Sequence, residues 1–420
     1  MFSKLKPKSE FSRNVLTLMT GTTIAQAIPI AISPILTRIY TPEDFGVFAL
    51  FIAIVGFFSV VASARYEQAI LIPRRDKEAI NIFALGFIII FTISILLFLM
   101  IVIFNQTLTI FLNNEAIGIW LYFIPITVLF VGLFNLLIFY NNRKKEYKDI
   151  ANATILKSIV LAVVQISVGF FKSGVDGLIS GQIISQFFAN VKLIKNILND
   201  KLLLTNISRI KILAVAKIYK NFPMFQAPHA MLNTLASNLP IYLFAPFFGL
   251  ATVGLYSLSV RVVFAPLMIF SGASAKVYNQ QLTLLYNQNK DTYTFTVNLL
   301  KTLLKRVFIP FIIFIYLAPT IFGVVFGEDW SEAGVYTQIL SPWLFMVFFV
   351  SLISFIPNIL NLQKKALIIE IFYTISRYIA ILIGIYFKSI YIAIFLFSIV
   401  GFLALSYNMI WMLNSLKRYN

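Results

Sequence analysis

The sequence contains no cysteine and only a single histidine among its 420 residues. A disulfide and a thiolate metal site are therefore excluded, and one imidazole cannot build a zinc site. No glycine is followed by lysine, so the chain has no P-loop for nucleotide phosphates and no built-in ATPase. These absences predict a protein without a metal and without a cofactor.

Charge is also scarce, since 12% of the residues are charged and 60% are hydrophobic. Soluble domains carry about 25% charged residues, so this chain could not cover a soluble surface. The apolar residues come in runs of about 20, the length of a membrane-spanning helix, without the alternation of barrel strands. We therefore predict an all-α polytopic membrane protein. Its twelve predicted helices are 14–36, 44–63, 80–104, 117–140, 150–171, 175–195, 222–248, 252–272, 307–326, 335–360, 364–387 and 389–413.

The charged residues cluster between these runs, as in ARYEQAILIPRRDKEA at 64–79. With the N-terminus placed inside, 28 of the 34 basic residues fall on inner segments, three on outer segments and three within spans. This asymmetry is the positive-inside signal, and it predicts that both termini are cytoplasmic. The net charge of +18 then reflects topology and contact with anionic inner-leaflet lipid, so nucleic acid is not an expected partner. The main predicted inner loops are 64–79, 141–149, 196–221 and 273–306.

The chain also contains a weak internal repeat. FGVFAL at 45–50 resembles VGLYSL at 253–258, and each stretch opens an even-numbered span. Two halves of six spans with one orientation predict two lobes related by a pseudo-two-fold axis along the membrane normal, around a central cavity. The predicted divisions are an N-terminal lobe at 1–200, a basic cytoplasmic linker at 201–221 and a C-terminal lobe at 222–420. This arrangement favours a transporter that alternates access over a non-transporting scaffold.

Two spans have a polar edge, which favours a shared wet cavity. Gln26 lies in the first span, and His229 and Asn233 lie in the seventh. Polar side chains in membrane helices also form interhelical hydrogen bonds, and that alternative stays open for each of them. His229 is the one side chain that titrates near neutrality, so it is a candidate for proton coupling, with an uncharged packing histidine as the alternative.

Three cations lie inside predicted spans, namely Lys157, Arg261 and Arg377. The two arginines lie about ten and thirteen residues into their helices, close to the bilayer midplane. A charge at that depth costs at least ~2.5 kcal/mol and normally faces a cavity or a partner, whereas Lys157 could also snorkel to the surface. Glu370 is roughly 10 Å from Arg377 along the helix axis, so a direct pair is not expected. Such cations predict an anionic cargo, and the planar fork of arginine suits phosphate.

Two blocks of the sequence resemble a known family. TRIYTPEDFGVFALF followed by ARYEQAILIPRRDKEA resembles the start of the Wzx-type O-antigen flippases of the polysaccharide transporter family. The segment 219–267, from YKNFPMFQAPHAMLN to GLYSLSVRVVFAPL, resembles the start of that family's second half. The resemblance implies the multidrug/oligosaccharidyl-lipid/polysaccharide superfamily. It also implies a cargo, an undecaprenyl-pyrophosphate-linked O-antigen or capsule repeat unit, moved from the inner to the outer leaflet of the bacterial plasma membrane. Other membrane proteins of glycan assembly are then candidate partners.

Two other functions stay open. A drug or metabolite exporter of the same superfamily would favour cationic cargo and carry membrane carboxylates, which are scarce here. A membrane enzyme of glycan assembly, such as a polymerase, would usually hold catalytic carboxylates on a large outer loop, whereas the predicted outer loops are short. We therefore predict a protein that is not an enzyme. Its predicted substrate-binding residues are Lys157, Arg261, Arg377, Gln26 and Asn233.

Overall fold

A computed structural model describes residues 10–112, 115, 117–172, 174–360 and 362–419. It also describes their side chains, except at 10–16, 202, 265–266, 268–274, 276–277 and 419. Within these residues the regular structure is helical and no strand is present, so the predicted all-α class is confirmed. Lys4, Lys6 and Lys8, which the charge pattern places in the cytoplasm, lie outside the described residues.

The helices fall into two compact units, Met1–Pro246 and Phe247–Asn420. The helices of the first unit are α1 Glu10–Ala31, α2 Ser33–Ile39, α3 Pro42–Ser59, α4 Tyr66–Ala69, α5 Asp76–Phe111, α6 Gly118–Leu121, α7 Ile124–Arg143, α8 Tyr147–Phe171, α9 Asp176–Asn199, α10 Lys201–Leu204, α11 Arg209–Ile218, a π-helical turn Phe222–Gln226, α12 Ala227–Ser237 and α13 Leu239–Phe248, which crosses the boundary. Those of the second unit are α14 Leu250–Asn287, α15 Thr292–Phe326, a 3₁₀ turn Glu328–Trp330, α16 Ser331–Ile353, α17 Ile356–Ile359, α18 Gln363–Tyr386 and α19 Ile390–Tyr419.

The predicted spans coincide with helices. Within the described part of the chain, nine helical stretches are long and apolar enough to cross a bilayer, and Leu239–Phe248 and Leu250–Phe264 are shorter apolar helices. Helix α9, predicted as the sixth span, is helical over its full length but is less apolar and is not among the nine. This number of long apolar helices indicates a multi-pass membrane protein.

Prolines divide the first and the seventh predicted spans. The first span consists of α1 and α2, which separate between Pro29 and Pro34. The seventh consists of the π turn, α12 and α13, and each of these segments has a proline as its second residue: Pro223, Pro228 and Pro240. Because proline has no N–H to donate to the preceding turn, it breaks a helix and is tolerated where the next one begins.

Helices α14 and α15 are longer than predicted. The expected absence of helix at 273–306 is wrong, because α14 continues to Asn287 and α15 begins at Thr292, while the cytoplasmic location of this segment stays a prediction. Hydropathy marks only the part of a helix that lies in hydrocarbon, and α15 continues beyond that part with exposed basic residues such as Lys301 and Lys305. Most of the charges predicted on this loop therefore lie on helical turns, and Lys290 lies in the short connection between α14 and α15.

The boundary between the two compact units lies at 246/247, after the predicted linker at 201–221. Helix α12 packs against α3, and the Tyr242 hydroxyl in α13 donates a hydrogen bond to the Ala53 carbonyl at 2.7 Å. Residues 222–246 therefore belong with the first unit by their contacts. The two lobes derived from the sequence repeat stay a prediction.

Three of the predicted inner loops meet at one end of the helices of the first unit. Arg143 Nε donates to Asp76 Oδ1 at 2.9 Å, and Lys144 Nζ donates to Asp76 Oδ2 at 2.8 Å and to Asp200 Oδ2 at 3.1 Å. These four residues come from the first, second and third inner loops or their edges. The network therefore places those loops on one side, as an alternating path through a membrane requires.

Small residues allow helices within each unit to approach closely. In the first unit, a Cβ added to Gly21 of α1 would lie 2.5 Å from the Ala151 Cβ of α8. In the second unit, a Cβ added to Gly384 of α18 would overlap the backbone of Ala393 in α19. Close backbone approach at small residues is the usual packing mode of membrane helices, because lipid gives no hydrophobic drive to associate them.

Candidate functional site

Lys157 lies in the interior of the first unit. It is ten residues after Tyr147, the first residue of α8, and so about 15 Å into that helix. Its side chain is half-buried, and Nζ lies 5.1 Å from the centroid of the Phe134 ring in α7. Within the described part of the chain, no carboxylate and no hydrogen-bond acceptor contacts this ammonium. An unpaired cation at this depth is suited to an anionic ligand.

Gln26 lies at the same level as Lys157. The neighbouring residue of each makes the contact, because the Ser158 hydroxyl of α8 donates to the Ala25 carbonyl of α1 at 2.8 Å. The Gln26 side chain is exposed. The structure thus brings two of the predicted substrate-binding residues to one level of the α1–α8 pair.

His229 and Asn233 lie on α12, one helical turn apart and both exposed. Ser237 continues the same stripe at the next turn, and its hydroxyl donates to the Asn233 carbonyl at 2.8 Å. The predicted polar edge of the seventh span is therefore an exposed face of α12. The exposure of His229 leaves its imidazole accessible, while its role in proton coupling stays a prediction.

Arg377 lies in α18 of the second unit, surrounded by three aromatic rings. Its guanidinium carbon is 4.6 Å from the ring centroid of Trp343, 4.7 Å from that of Tyr373 and 3.7 Å from that of Phe397. These rings come from α16, α18 and α19, and we call them the aromatic cage. Each ring presents its negative π face to the cation, which replaces part of the hydration that the charge loses.

One hydroxyl organises the aromatic cage. Tyr373 Oη accepts a hydrogen bond from Arg377 NH1 at 2.8 Å and another from Trp343 Nε1 at 2.8 Å. The Arg377 Nε is buried and has no partner in the described structure. Gly401 of α19 completes the packing, because a Cβ there would lie 2.7 Å from Trp343 Cδ1. One edge of the guanidinium therefore keeps an unused donor.

Arg261 lies in α14 of the second unit, eleven residues after Leu250 and so about 16 Å into the helix. Its side chain is half-buried. Arg261 and Arg377 thus belong to different helices of the same unit, and Lys157 and Gln26 belong to the other unit. No group of three or more His, Cys, Asp or Glu side chains that could hold a metal occurs among the described residues.

The sequence reasoning did not identify the aromatic cage. A signal existed for one part of it, because Tyr373 and Arg377 are four residues apart and therefore share a helix face. Trp343 and Phe397 lie on other helices, and only tertiary packing brings them to the guanidinium. The expected cation at mid-span is present, but its surroundings are aromatic as well as polar.

Residues 35–335 match the family described as polysaccharide biosynthesis protein. That range covers well over half of the chain and extends from the first unit into the second. No curated protein sequence matches the chain.

Solved structures share the fold at low identity. The lipid II flippase MurJ in an inward closed conformation superposes with a TM-score of 0.69 at 14% identity, covering 97% of this chain and 89% of that one. A MOP superfamily transporter from Pyrococcus furiosus gives a TM-score of 0.62 at 13% identity, covering 96% of both chains. A MATE in complex with MaL6 gives 0.60 at 14% identity, covering 97% of both. At this identity the likeness concerns the fold alone.

Proposed function

The chain belongs to the polysaccharide biosynthesis protein family, and from this premise we propose that it is a flippase of the MOP superfamily that moves an undecaprenyl-pyrophosphate-linked oligosaccharide across the bacterial plasma membrane. The proposed direction is from the cytoplasmic to the outer leaflet, by alternating access. The pyrophosphate and the sugars cannot cross hydrocarbon unaided, because each polar group would lose its hydrogen bonds to water.

The observation that carries this proposal is the unpaired Lys157 ammonium inside the first unit. Its Nζ lies over the Phe134 ring and has no hydrogen-bond acceptor among the described residues, which leaves its donors available to phosphate oxygens. In the second unit Arg377 supplies a further cation whose buried Nε is unused. We assign Lys157, Arg261 and Arg377 to the pyrophosphate, Gln26 and Asn233 to the glycan, and His229 to proton coupling.

A drug exporter of the same superfamily is less well supported. Such a protein would be expected to present carboxylates to a cationic cargo, and the membrane cations described here would repel it. The family match concerns polysaccharide biosynthesis, which favours an anionic lipid-linked glycan as cargo.

The test uses a flippase-deficient bacterial strain that makes a defined lipid-linked glycan. Export should be restored by the native chain and should fall at least tenfold with Lys157→Ala, because a lost charge-assisted hydrogen bond is worth on the order of 1.5–3 kcal/mol. Lys157→Arg should retain part of the export. The matched control is Lys172→Ala, which removes the exposed lysine at the end of the same helix, paired with Asp176.

The measurement is the amount of glycan that reaches the outer surface, normalised to the amount of inserted protein. Normal export by Lys157→Ala would remove the role assigned to this residue. Failure of the native chain to export any lipid-linked glycan, together with efflux of cationic drugs, would replace the flippase with an exporter.

A further inference from the structure

A segment of ninety residues, 201–290, contains no aspartate or glutamate, although it contains eight lysines and arginines. Helix α11 lies within it and has the sequence RIKILAVAKI. Arg209, Lys217 and the nearby Lys220 are exposed, and none of the three pairs with a carboxylate within the described residues. This stretch therefore presents positive charge with no neighbouring acid in sequence to neutralise it.

Helix α11 has a protein-facing side and an opposite side that the protein leaves uncovered. On the first side Val215 is buried, and the Tyr66 hydroxyl donates to the Ala216 carbonyl at 3.0 Å. On the other side Ile210 is 80% exposed and Leu213 56%, and Ile218, the last residue of the helix, is 68% exposed. Large aliphatic side chains exposed among lysines are unfavourable in water, because their apolar area stays hydrated.

The position of α11 along the spans indicates what covers this side. The helix packs against α5, and the Asn81 side chain of α5 accepts from the Ser208 N–H at 3.0 Å and donates to the Asn206 carbonyl at 3.1 Å. Asn81 is the last polar residue of α5 before its apolar run starts at Ile82. The start of α11 therefore lies at the level where the apolar surface of the spans begins, on the side predicted to be cytoplasmic.

We propose that α11 is an interfacial helix whose exposed side binds anionic lipid of the inner leaflet. Ile210, Leu213 and Ile218 insert at the boundary between headgroups and acyl chains, and Arg209 and Lys217 bind anionic headgroups. Arg209 and Lys217 lie one helical turn before and after Leu213 on the exposed side, so their apolar stems can lie beside the aliphatic side chains while their charged ends reach the headgroups. Each lysine or arginine near an anionic leaflet adds to the attraction. The inference is independent of the cargo.

The native chain has no cysteine, which makes a single spin label at position 210 unambiguous. The full chain with Ile210→Cys is labelled and reconstituted into vesicles that contain phosphatidylglycerol. The control label is placed by Gln288→Cys in the exposed turn between α14 and α15. Helix α14 is 38 residues long, about 57 Å, so this turn extends well beyond a hydrocarbon core of about 30 Å.

We expect the label at 210 to collide with dissolved oxygen more than with a water-soluble nickel chelate, at a depth of roughly 5–10 Å. The label at 288 should show the opposite preference. Equal access of the chelate to both labels in these vesicles would overturn the proposal.

The charge requirement is tested by reversing one lysine in the labelled protein. Lys217→Glu should weaken the affinity for phosphatidylglycerol at least tenfold and make the label at 210 shallower. Lys290→Glu is the matched control, because it changes the net charge equally in the turn beyond the bilayer, more than a Debye length of about 10 Å away. No difference between the two variants would overturn the assignment to anionic lipid. Burial of the label only after another membrane protein is added would also overturn it.

Discussion

At the scale of single residues, the most informative feature is the way the second unit holds Arg377. A guanidinium inside a membrane span usually requires a carboxylate or water, and the described residues provide Arg377 with no carboxylate partner. The aromatic cage supplies three cation–π contacts instead, each worth up to about 2 kcal/mol when desolvated. The hydroxyl of Tyr373 accepts hydrogen bonds from both the cation and Trp343, so these three residues form one hydrogen-bonded network.

Replacing Tyr373 by Phe should destabilise the second unit without removing a ring. The substitution leaves the donors of Arg377 and Trp343 without their acceptor, at a cost of about 1–3 kcal/mol for each buried unsatisfied group. We expect a lower midpoint of thermal unfolding in detergent. Tyr378→Phe is the control, because that tyrosine is exposed on the same helix. Equal midpoints for the two variants would contradict this account of the cage.

Glu67 is a buried carboxyl in the first inner loop. The Ser63 hydroxyl donates to it, and Arg65 NH1 lies 3.4 Å from Oε1. Burial raises the pKa of Glu67 above its ordinary value, because the charged form is desolvated, although Ser63 and Arg65 oppose this. A carboxyl with a raised folded-state pKa binds more protons folded than unfolded, so its contribution to stability is greatest at low pH. That contribution is lost as the pH rises through the folded pKa.

Glu67→Gln should therefore remove a pH dependence of stability. The amide imitates the protonated carboxyl, so the variant should gain thermal stability relative to the native protein as the pH rises from about 4.5 to neutrality. Unfolding midpoints measured in detergent across this range test the expectation. Glu43→Gln, at an exposed position, serves as the comparison and should show no such trend. If the difference in stability between Glu67→Gln and the native protein did not change with pH, burial would not raise the pKa of this carboxyl.

At the scale of helices, the sequence was sufficient to locate the apolar segments but not their ends. Runs of apolar residues predict a span wherever hydrocarbon must be crossed. The helical ends of α14 and α15 lie outside hydrocarbon, where hydropathy carries no information, so the connection at 288–291 could not be distinguished from a long loop. The sequence shows the prolines at 223, 228 and 240, but it does not show whether they kink one helix or divide it into three segments. That outcome depends on which groups form hydrogen bonds with the carbonyls that the prolines leave free.

The candidate site shows the same limit. The depths of Lys157 and Arg377 follow from their positions in the spans, since residue count converts directly to distance along a helix. The partners of these cations come from other helices, as Phe134, Trp343 and Phe397 illustrate. The spacing of residues in a single sequence predicts which side chains share a face of one helix, but it does not predict which residues of different helices are in contact.

Close packing of α18 and α19 depends on Gly384. A Cβ at this position would overlap the backbone of Ala393, which cannot move aside as a side chain can. Gly384→Ala should therefore lower the thermal unfolding midpoint, with a cost of about 1–3 kcal/mol typical of overpacking. At Gly323 the nearest atom is the Ser331 Cβ at 3.7 Å, so Gly323→Ala should be neutral or stabilising through its helix propensity. Similar losses for both variants would refute the close-contact explanation.

At the scale of the whole molecule, topology unites the charge pattern and the ion network. The network of Arg143, Lys144, Asp76 and Asp200 places three loops of the first unit on one side. The excess of basic residues on these loops predicts that this side is cytoplasmic.

Single cysteines give a direct test in a chain that has none of its own. Arg74→Cys, Lys145→Cys and Lys201→Cys are exposed positions on the three loops and should react with an impermeant thiol reagent only after the membrane is opened. Lys388→Cys, on a predicted outer segment, should react in intact cells. Labelling of any of the three loop cysteines from outside would invert the orientation.

The aromatic cage has an electrical consequence. Aromatic rings carry no formal charge, so the three cation–π contacts leave the charge of the Arg377 guanidinium in place. Carrying one such charge across a potential of 100 mV is worth about 2.3 kcal/mol. A shift of α18 along the membrane normal would therefore move this charge through the membrane field and produce a gating current. The resting membrane potential would then favour one conformation over the other without a co-transported ion.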